Sequence, residues 1–360
     1  MRVAVIGVGR IGGLHVANLR AASHRTVTVD LRPEADFRDV REVPDALVPQ
    51  IDAWVVSTPT HLHLQTLRQI LTRARAARVL LEKPAAVPSE LAALSRTLDE
   101  HPDARVVVNN VYANSSAVHQ LAGSVRRLSA SDPIRRITIE FTKNRLSDVA
   151  AGRFVDTDYG EIGYEWFHML AILRELLDPE DYRAYLATPW TAATREVRVS
   201  TSGRGLPDIE LYSSMRGRVG FPRLAGPLFA SAAARQEIAT RDIGFGAGLR
   251  YRFADVELAS GTRCCLVYEP YYAVLDSYKN THAVVTSTAT GAEVTTVAEN
   301  QLATALTAQL RALTSAPGGL VRLYQEEHTH MARLAAHIGS YEANPAPRLG
   351  LAGQRNEVTI

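Results

Sequence analysis

Val3-Ala4-Val5-Ile6-Gly7-Val8-Gly9-Arg10-Ile11-Gly12 sets an unbroken apolar run directly against a glycine pattern. A short run of this kind suits a parallel strand buried on both faces. Ile11, Leu14, His15, Asn18 and Leu19 follow at helical spacing. The order strand, glycine turn, helix is the context in which Gly-X-Gly-X-X-Gly binds a dinucleotide. Gly7 permits the turn, Gly9 lets the backbone approach a pyrophosphate, and Gly12 lets helix and strand pack closely. The helix start, with Arg10 and Ile11, offers N–H groups and a positive dipole end to phosphates.

Working outward, Thr26-Val27-Thr28-Val29 reads as the second strand and ends at Asp30, eighteen residues after Gly12. That is near the usual offset of about 20 for the acid that binds the adenosine ribose. A carboxylate there accepts from ribose hydroxyls and repels a 2′-phosphate, so NAD is favoured over NADP. Arg32, able to stack on adenine or meet a phosphate, tempers that preference and keeps NADP open. Ala53-Trp54-Val55-Val56 is a third strand, running into Ser57-Thr58-Pro59-Thr60-His61-Leu62-His63, with Thr60 as a candidate helix cap. Val79-Leu80-Leu81 is a fourth and delivers Glu82-Lys83-Pro84 to the same sheet edge. Val106-Val107-Val108 leads to Asn109, Asn110 and Tyr112. In doubly wound sheets ligands lie beyond the carboxyl ends of the strands. Ser57, Thr58, Pro59, His63, Glu82 and Lys83 are therefore candidate cofactor contacts, and Asn110 and Tyr112 candidate substrate contacts.

The glycine pattern, Thr58-Pro59 with His63 four positions after the proline, and Glu82-Lys83-Pro84 together resemble the Gfo/Idh/MocA family of glucose–fructose oxidoreductase and inositol dehydrogenase-like enzymes. The resemblance covers about residues 1–125. It implies a Rossmann domain with a doubly wound parallel sheet over 1–125, an α/β domain with a large, mainly antiparallel open sheet over 126–340, and a tail over 341–360. It further implies hydride transfer between a nicotinamide and the carbinol or carbonyl carbon of a sugar, cyclitol or other polyol. In such enzymes the lysine of Glu-Lys-Pro hydrogen-bonds the reacting oxygen, a role that falls to Lys83, while Glu82 lies by the nicotinamide end. Family members commonly pair their large sheets face to face, so a homodimer or homotetramer is expected. The scaffold also carries NAD-assisted elimination or glycoside cleavage without net redox, and non-catalytic cofactor-bound regulators.

Ile134 to Thr142 alternates at period two, and Arg195–Ser200, Ile209–Ser213, Arg250–Leu258, Arg263–Tyr268 and His282–Ser287 read as further strands. Gln301–Leu313 and Leu320–Ile338 read as helices. A key helix is expected from about Glu161 to Leu177, striped by Ile162, Trp166, Met169, Leu170, Leu173, Leu176 and Leu177. Glu161, Glu165 and His168 share one flank, and Glu165 and His168 are neighbours at a spacing of three. Relatives usually carry Asp-X-X-X-His here. Aligning Glu161-Ile162-Gly163 with Asp-Ile-Gly puts Glu165 at the histidine position, and aligning His168 puts Tyr164 at the aspartate position. His168 is favoured as the base, with Glu165 orienting or charging it. An imidazole titrating near neutrality suits proton removal from a hydroxyl, and a lysine cation suits the developing oxyanion. Lys143, Asn144, Arg145, Arg153, Asp156 and Tyr159 are weaker substrate candidates, as are Tyr271 and Tyr272.

The 360 residues suffice for two domains, and 46% apolar with 22% charged residues is ordinary for a globular chain. A formal charge of +2 with interspersed signs gives no support for nucleic-acid or membrane binding. Adjacent Cys264 and Cys265 do not easily reach disulfide geometry and are read as reduced. The apolar start is too short for a signal-peptide core, so a cytoplasmic location is expected. The His61/His63 and His328/His330 pairs lack the partners of a metal site, and no metal is expected.

Overall fold

The computed structural model describes residues 1–150, 156, 158–193, 197–203, 205–270, 279–315 and 319–341. The expectations for Arg153, Tyr271, Tyr272 and the tail beyond Tyr341 lie outside the described residues.

In chain order the elements are β1 (Arg2–Ile6), α1 (Arg10–Ala21), β2 (Arg25–Val29), β3 (Ala53–Val56), α2 (His63–Arg73), β4 (Arg78–Leu81), α3 (Leu91–Asp99) and β5 (Arg105–Val108). There follow α4 (Ser116–Ser129), β6 (Ile134–Lys143), α5 (Leu146–Ala150), α6 (Ile162–Leu176), α7 (Pro179–Ala187), β7 (Thr191–Ala193), β8 (Val197–Gly203) and β9 (Leu206–Ser214). After them come α8 (Pro222–Ala225), α9 (Ala232–Thr240), β10 (Arg250–Leu258), β11 (Arg263–Val267), β12 (Thr281–Thr288) and β13 (Gly291–Ala298). The last are α10 (Gln301–Ser315), β14 (Leu320–Arg322) and α11 (Gln325–Tyr341). Two units result. The first takes Met1–Val111 and Leu302–Ala332, and the second takes Tyr112–Gln301 with the chain from Arg333 onward.

The first unit holds an all-parallel sheet in the order β14-β5-β4-β3-β1-β2. Its strands are apolar throughout because both faces are covered. Val3, Val5, Val55, Leu80 and Val107 pack with Val16 and Leu19 of α1 and with Leu306, Leu310 and Leu313 of α10. Each such side chain contributes roughly 1.5–3 kcal/mol on full burial. The chain leaves β1 to β2 on one side and resumes with β3 on the other, so the strand order reverses between β1 and β3. A crevice at the carboxyl ends of those strands is where such sheets bind ligands. Two sequence expectations are corrected here. Leu320–Arg322 is a strand paired with β5, not the start of a helix, and the helix begins at Gln325. Gly319 makes the strand accessible: a Cβ there would meet the Pro102 carbonyl at 2.1 Å. Thr60 opens a 3-10 turn, Thr60–Leu62, rather than capping α2.

The second unit is built on an eight-stranded sheet in the order β13-β12-β11-β10-β6-β9-β8-β7. All neighbours are antiparallel except β6 and β9. α4 and α6 pack on one another and against this sheet. In α6, Trp166, Met169, Leu170, Ile172 and Leu173 are fully buried, and only His168 and residues near its end gain exposure. The strands β7 and β13 and the helix α7 escaped the sequence reading; β13 is exposed on both faces, so it lacks the apolar alternation that betrays a strand.

Candidate active site

In the first unit the glycine turn is shaped by close approach. Gly7 sits at φ +82°, and a Cβ on it would lie 2.7 Å from the Thr58 nitrogen. A Cβ on Gly12 would lie 1.8 Å from the Gly7 carbonyl oxygen. The loop after β3 therefore lies directly against the turn after β1, and Ser57 Oγ donates to the Gly7 carbonyl at 3.0 Å. Gly9 caps α1, whose first turn carries no acidic residue. The Asp30 carboxylate accepts from the Val8 N–H at 2.5 Å and from the Arg32 N–H at 3.0 Å. Arg32 folds back so that Nη1 donates to the Val8 carbonyl at 2.9 Å. Asp30 and Arg32 thus both border the phosphate turn.

The Glu82-Lys83-Pro84 loop is held from several sides. Its Lys83–Pro84 peptide bond is cis. Nε2–H of His15, on a fully buried face of α1, donates to Glu82 Oε1 at 2.7 Å, and Asn109 Nδ2 donates to the same oxygen at 2.5 Å. Burial pushes the Glu82 carboxyl up, but His15, Asn109 and Lys83 reverse this and hold it below its ordinary value. Gln309 of α10 donates to Asn109 Oδ1 at 2.8 Å and accepts from the Asn110 N–H at 3.1 Å. His63 is fully buried, with Nδ1 at 2.9 Å from the Pro84 carbonyl and Nε2 at 2.8 Å from the Thr58 carbonyl. It ties the loop after β3 to the loop after β4. His328 of α11 completes the clamp. Its Nε2 accepts from the Ala85 N–H at 2.9 Å while Nδ1–H donates to the Tyr324 carbonyl at 2.8 Å. Both bonds fix the neutral tautomer. Lys83 itself is half-buried at the tip of this fixed loop.

The second unit gathers the α6 candidates. Glu165 is buried and held between two arginines, Arg145 and Arg252. Arg252 Nη2 donates to both carboxylate oxygens, at 2.8 and 3.1 Å. Burial pushes the carboxyl up, yet Arg252, Arg145 and His168 outweigh it and hold Glu165 far below the usual carboxylate range. Glu165 is therefore a fixed negative charge and not a proton acceptor near neutrality. His168, one turn on, stacks its ring on Tyr112 at a centroid distance of 4.7 Å. Tyr112 in turn packs on Phe141 and Tyr268 and receives Arg252 Nη1 at 3.4 Å. Tyr164 takes the Asp156 N–H on its hydroxyl at 3.2 Å, with the Arg145 guanidinium 5.6 Å over its ring. Lys143 Nζ donates to Asp148 at 2.8 Å, Asn144 Nδ2 to the Ile243 carbonyl at 3.0 Å, and Arg145 Nη1 to Asp148 at 3.4 Å. Glu161 accepts from Ser213 Oγ at 2.9 Å.

Lys83, Glu82, His63, Ser57, Asp30 and the glycine turn thus assemble within the first unit, together with Asn110. Tyr112, Lys143, Tyr164, Glu165 and His168 lie in the second. Sequence reasoning missed His328, Gln309, Arg250 and Arg252. His328 stands 243 residues from its partner, and the arginines are marked only by polar interruptions of β10 at period two. Among the described residues no three His, Cys, Asp or Glu side chains gather as metal ligands would. Both cysteines are buried thiols without a disulfide.

Comparison with known proteins decides the first unit. Residues 1–110 match the Gfo/Idh/MocA model, described as an oxidoreductase family with an NAD-binding Rossmann fold. The first 110 residues match that family's Rossmann domain. No curated protein sequence matches the chain. Among solved structures, the chain is similar to a 3-ketoreductase from Actinomadura kijaniata in complex with TDP-benzene and NADP, at 15% identity and TM-score 0.63, covering 94% of this chain and 97% of that one. A levoglucosan dehydrogenase with NADH and levoglucosan matches at 12% identity and TM-score 0.64, covering 95% and 98%. A dehydrogenase from Thermus thermophilus with NAD and UDP-GlcNAcA matches at 18% identity and TM-score 0.55, covering 94% of each. These likenesses cover the second unit as well and show a shared fold. No helix among the described residues is long and apolar enough to cross a membrane.

Proposed function

We propose that this protein is an NAD(P)-dependent oxidoreductase acting on a CH–OH group or its carbonyl counterpart in a sugar, cyclitol or related polyhydroxylated molecule. The observation that carries the reading is the clamped Glu82-Lys83-Pro84 loop at the carboxyl edge of a Gfo/Idh/MocA Rossmann sheet. Three histidines, His15, His63 and His328, fix a loop of a few residues, which is far more restraint than a solvated strand end requires. The similar structures, solved with NADH or NADP and with sugars or nucleotide derivatives, support the same class.

Gly7, Gly9, Arg10, Ile11 and Gly12 would hold the pyrophosphate at the start of α1, and Asp30 the adenosine ribose, with NAD preferred and Arg32 leaving NADP acceptable. Ser57, Thr58 and Pro59 border the same turn, and Glu82 the nicotinamide end. When bound, the nicotinamide supplies the hydride acceptor or donor. Lys83 donates to the reacting oxygen and stabilises its negative charge as the proton leaves. His168 takes that proton, and Glu165, held ionised by Arg145 and Arg252, favours the imidazolium that forms. Tyr112, Lys143, Tyr164 and Asn110 are candidate substrate contacts. The active form is a cytoplasmic homo-oligomer joined through the large sheet, checked by light scattering.

The deciding experiment follows absorbance of reduced nicotinamide while the purified protein is offered NAD or NADP with a panel of sugars and cyclitols. Net change in absorbance is expected. Product without net change would instead mark an NAD-assisted lyase or glycosidase, and cofactor binding without any turnover a regulator.

A further inference from the structure

His15 is out of character with the place it occupies. It lies on the buried face of α1 with Val16 and Leu19 and is 0% exposed. Its Nε2–H has one partner, Glu82 Oε1 at 2.7 Å, and its Nδ1 is buried with no hydrogen-bond partner. A buried ring nitrogen left in that state costs stability, and an apolar side chain would fill the space without that cost. Packing therefore does not account for a histidine here. What the imidazole provides, and an apolar side chain would not, is a donor to one carboxylate oxygen.

The carboxylate it reaches is surrounded by donors. Oε1 of Glu82 accepts from His15 and from Asn109 Nδ2, the latter oriented by Gln309 of α10, and Oε2 accepts from the Lys83 N–H at 3.2 Å. Burial pushes this carboxyl up, and His15 is the strongest of the groups that bring it down, ahead of Asn109 and Lys83. His63 of α2 is a further titratable group that feels the same charge. While His15 is sealed in, Glu82 keeps 12% of its side chain exposed, just beyond the carboxyl end of β4. That edge is where a parallel sheet of this kind receives its ligand. Donors from α1, from the segment after β5 and from Lys83 thus keep a negative charge on the ligand side of the sheet.

We propose that His15 is a positioning residue of the redox site: by way of Glu82 it holds a negative charge at the root of the lysine loop, and that charge shifts binding toward the oxidised nicotinamide and away from the reduced one. The proposal rests on the oxidoreductase reading above, with Glu82 by the nicotinamide end, and deepens it by naming what sets the balance between the two redox forms. The oxidised ring carries a positive charge that the reduced ring lacks, so a fixed carboxylate stabilises the first and leaves the second nearly untouched. Lys83 adds the opposite charge to the same loop in every variant compared below, so the sign of a change at Glu82 stands.

The test titrates the full chain calorimetrically with NAD and with NADH at one pH and ionic strength, and reads the ratio of the two affinities. Glu82→Gln, which keeps the shape and removes the charge, is expected to move this ratio toward NADH about tenfold. His15→Leu is expected to move it the same way by about threefold or more, and His15→Gln, whose amide N–H can stand in for Nε2–H, to keep it near the unaltered value. With both His15→Leu and Glu82→Gln in one chain, the shift should be no larger than with Glu82→Gln alone, because no charge is left for the histidine to hold. Should His15→Leu not fold, His15→Asn, whose side chain is too short to reach the carboxylate, reads the same shift. A purely structural role would weaken NAD and NADH together. Equal weakening of both forms in His15→Leu overturns the proposal, as does a ratio unmoved in Glu82→Gln or full addition of the two shifts in the double variant. Failure of the unaltered chain to bind either form would refute the oxidoreductase reading itself, whereas binding with an unmoved ratio overturns this proposal alone.

Discussion

The two units hold their candidate site residues by opposite means. In the first, Lys83 is positioned by backbone geometry and by hydrogen bonds that are mostly between neutral groups: glycines that admit no Cβ, the carbonyls of Thr58 and Pro84, and the imidazoles of His63 and His328. In the second, His168 and Glu165 sit among buried charges, with arginines from a loop and from a strand converging on one carboxylate. A neutral scaffold keeps its shape when a member is trimmed, at a net cost near 1 kcal/mol for an ordinary hydrogen bond. A buried charge network does not, because each deletion strands the opposite charge.

That contrast is open to measurement. Glu165→Gln should be the most damaging change, lowering unfolding stability by about 3–5 kcal/mol because Arg145 and Arg252 lose their shared counter-charge. Denaturant midpoints decide it, and a loss no larger than that of a trimmed neutral clamp would dissolve the distinction. Next, Lys83→Ala should leave NADH affinity intact, as read by nicotinamide fluorescence, while kcat falls about 10²–10³-fold. Normal turnover would remove Lys83 from the chemistry.

The neutral clamp has its own signature in pH. Burial brings the His328 imidazole down to about 4, against the pull of the Tyr324 and Leu323 carbonyls. The unfolded chain takes up a proton below about pH 6.5 that the folded chain excludes. This share of stability is complete above that pH and is lost as pH falls to about 4, amounting to no more than about 3 kcal/mol. His63, also held down by burial, adds to it with the same sign. The slope of stability between pH 4 and 6.5 should flatten in His328→Gln, and an unchanged slope would show that the imidazole is not kept neutral. The smallest effect concerns Asp30→Ala, which should weaken NAD about tenfold and NADP less. Equal losses for both cofactors would detach Asp30 from the ribose.

The same contrast explains how much could be read beforehand. The parallel strands, the glycine turn, Asp30 and the Glu-Lys-Pro loop were legible because each depends on local chemistry: unbroken Val and Ile runs, glycine where no side chain fits, proline where a strand stops. The helix of His168 was legible from its apolar stripe. Arg252 was not, since nothing near it in sequence says that β10 will lie beside β6 with Arg250 opposite Lys143. Register is a property of the assembled sheet. Likewise Leu320–Arg322 reads as part of a helix until β5 offers it an edge.

One feature of the first unit bears on how the protein comes to be made. The N–H of Ala85 waits for an acceptor on a helix 243 residues further along the chain, and β14 and most of α10 belong to that same late segment. At roughly 5–20 residues per second of translation, the lysine loop spends tens of seconds without its last restraint. Full restraint of the lysine loop is thereby deferred until synthesis has passed about Ala332, so chains cut short before that point should accumulate as dinucleotide-poor, inactive protein even when everything upstream of the cut is intact.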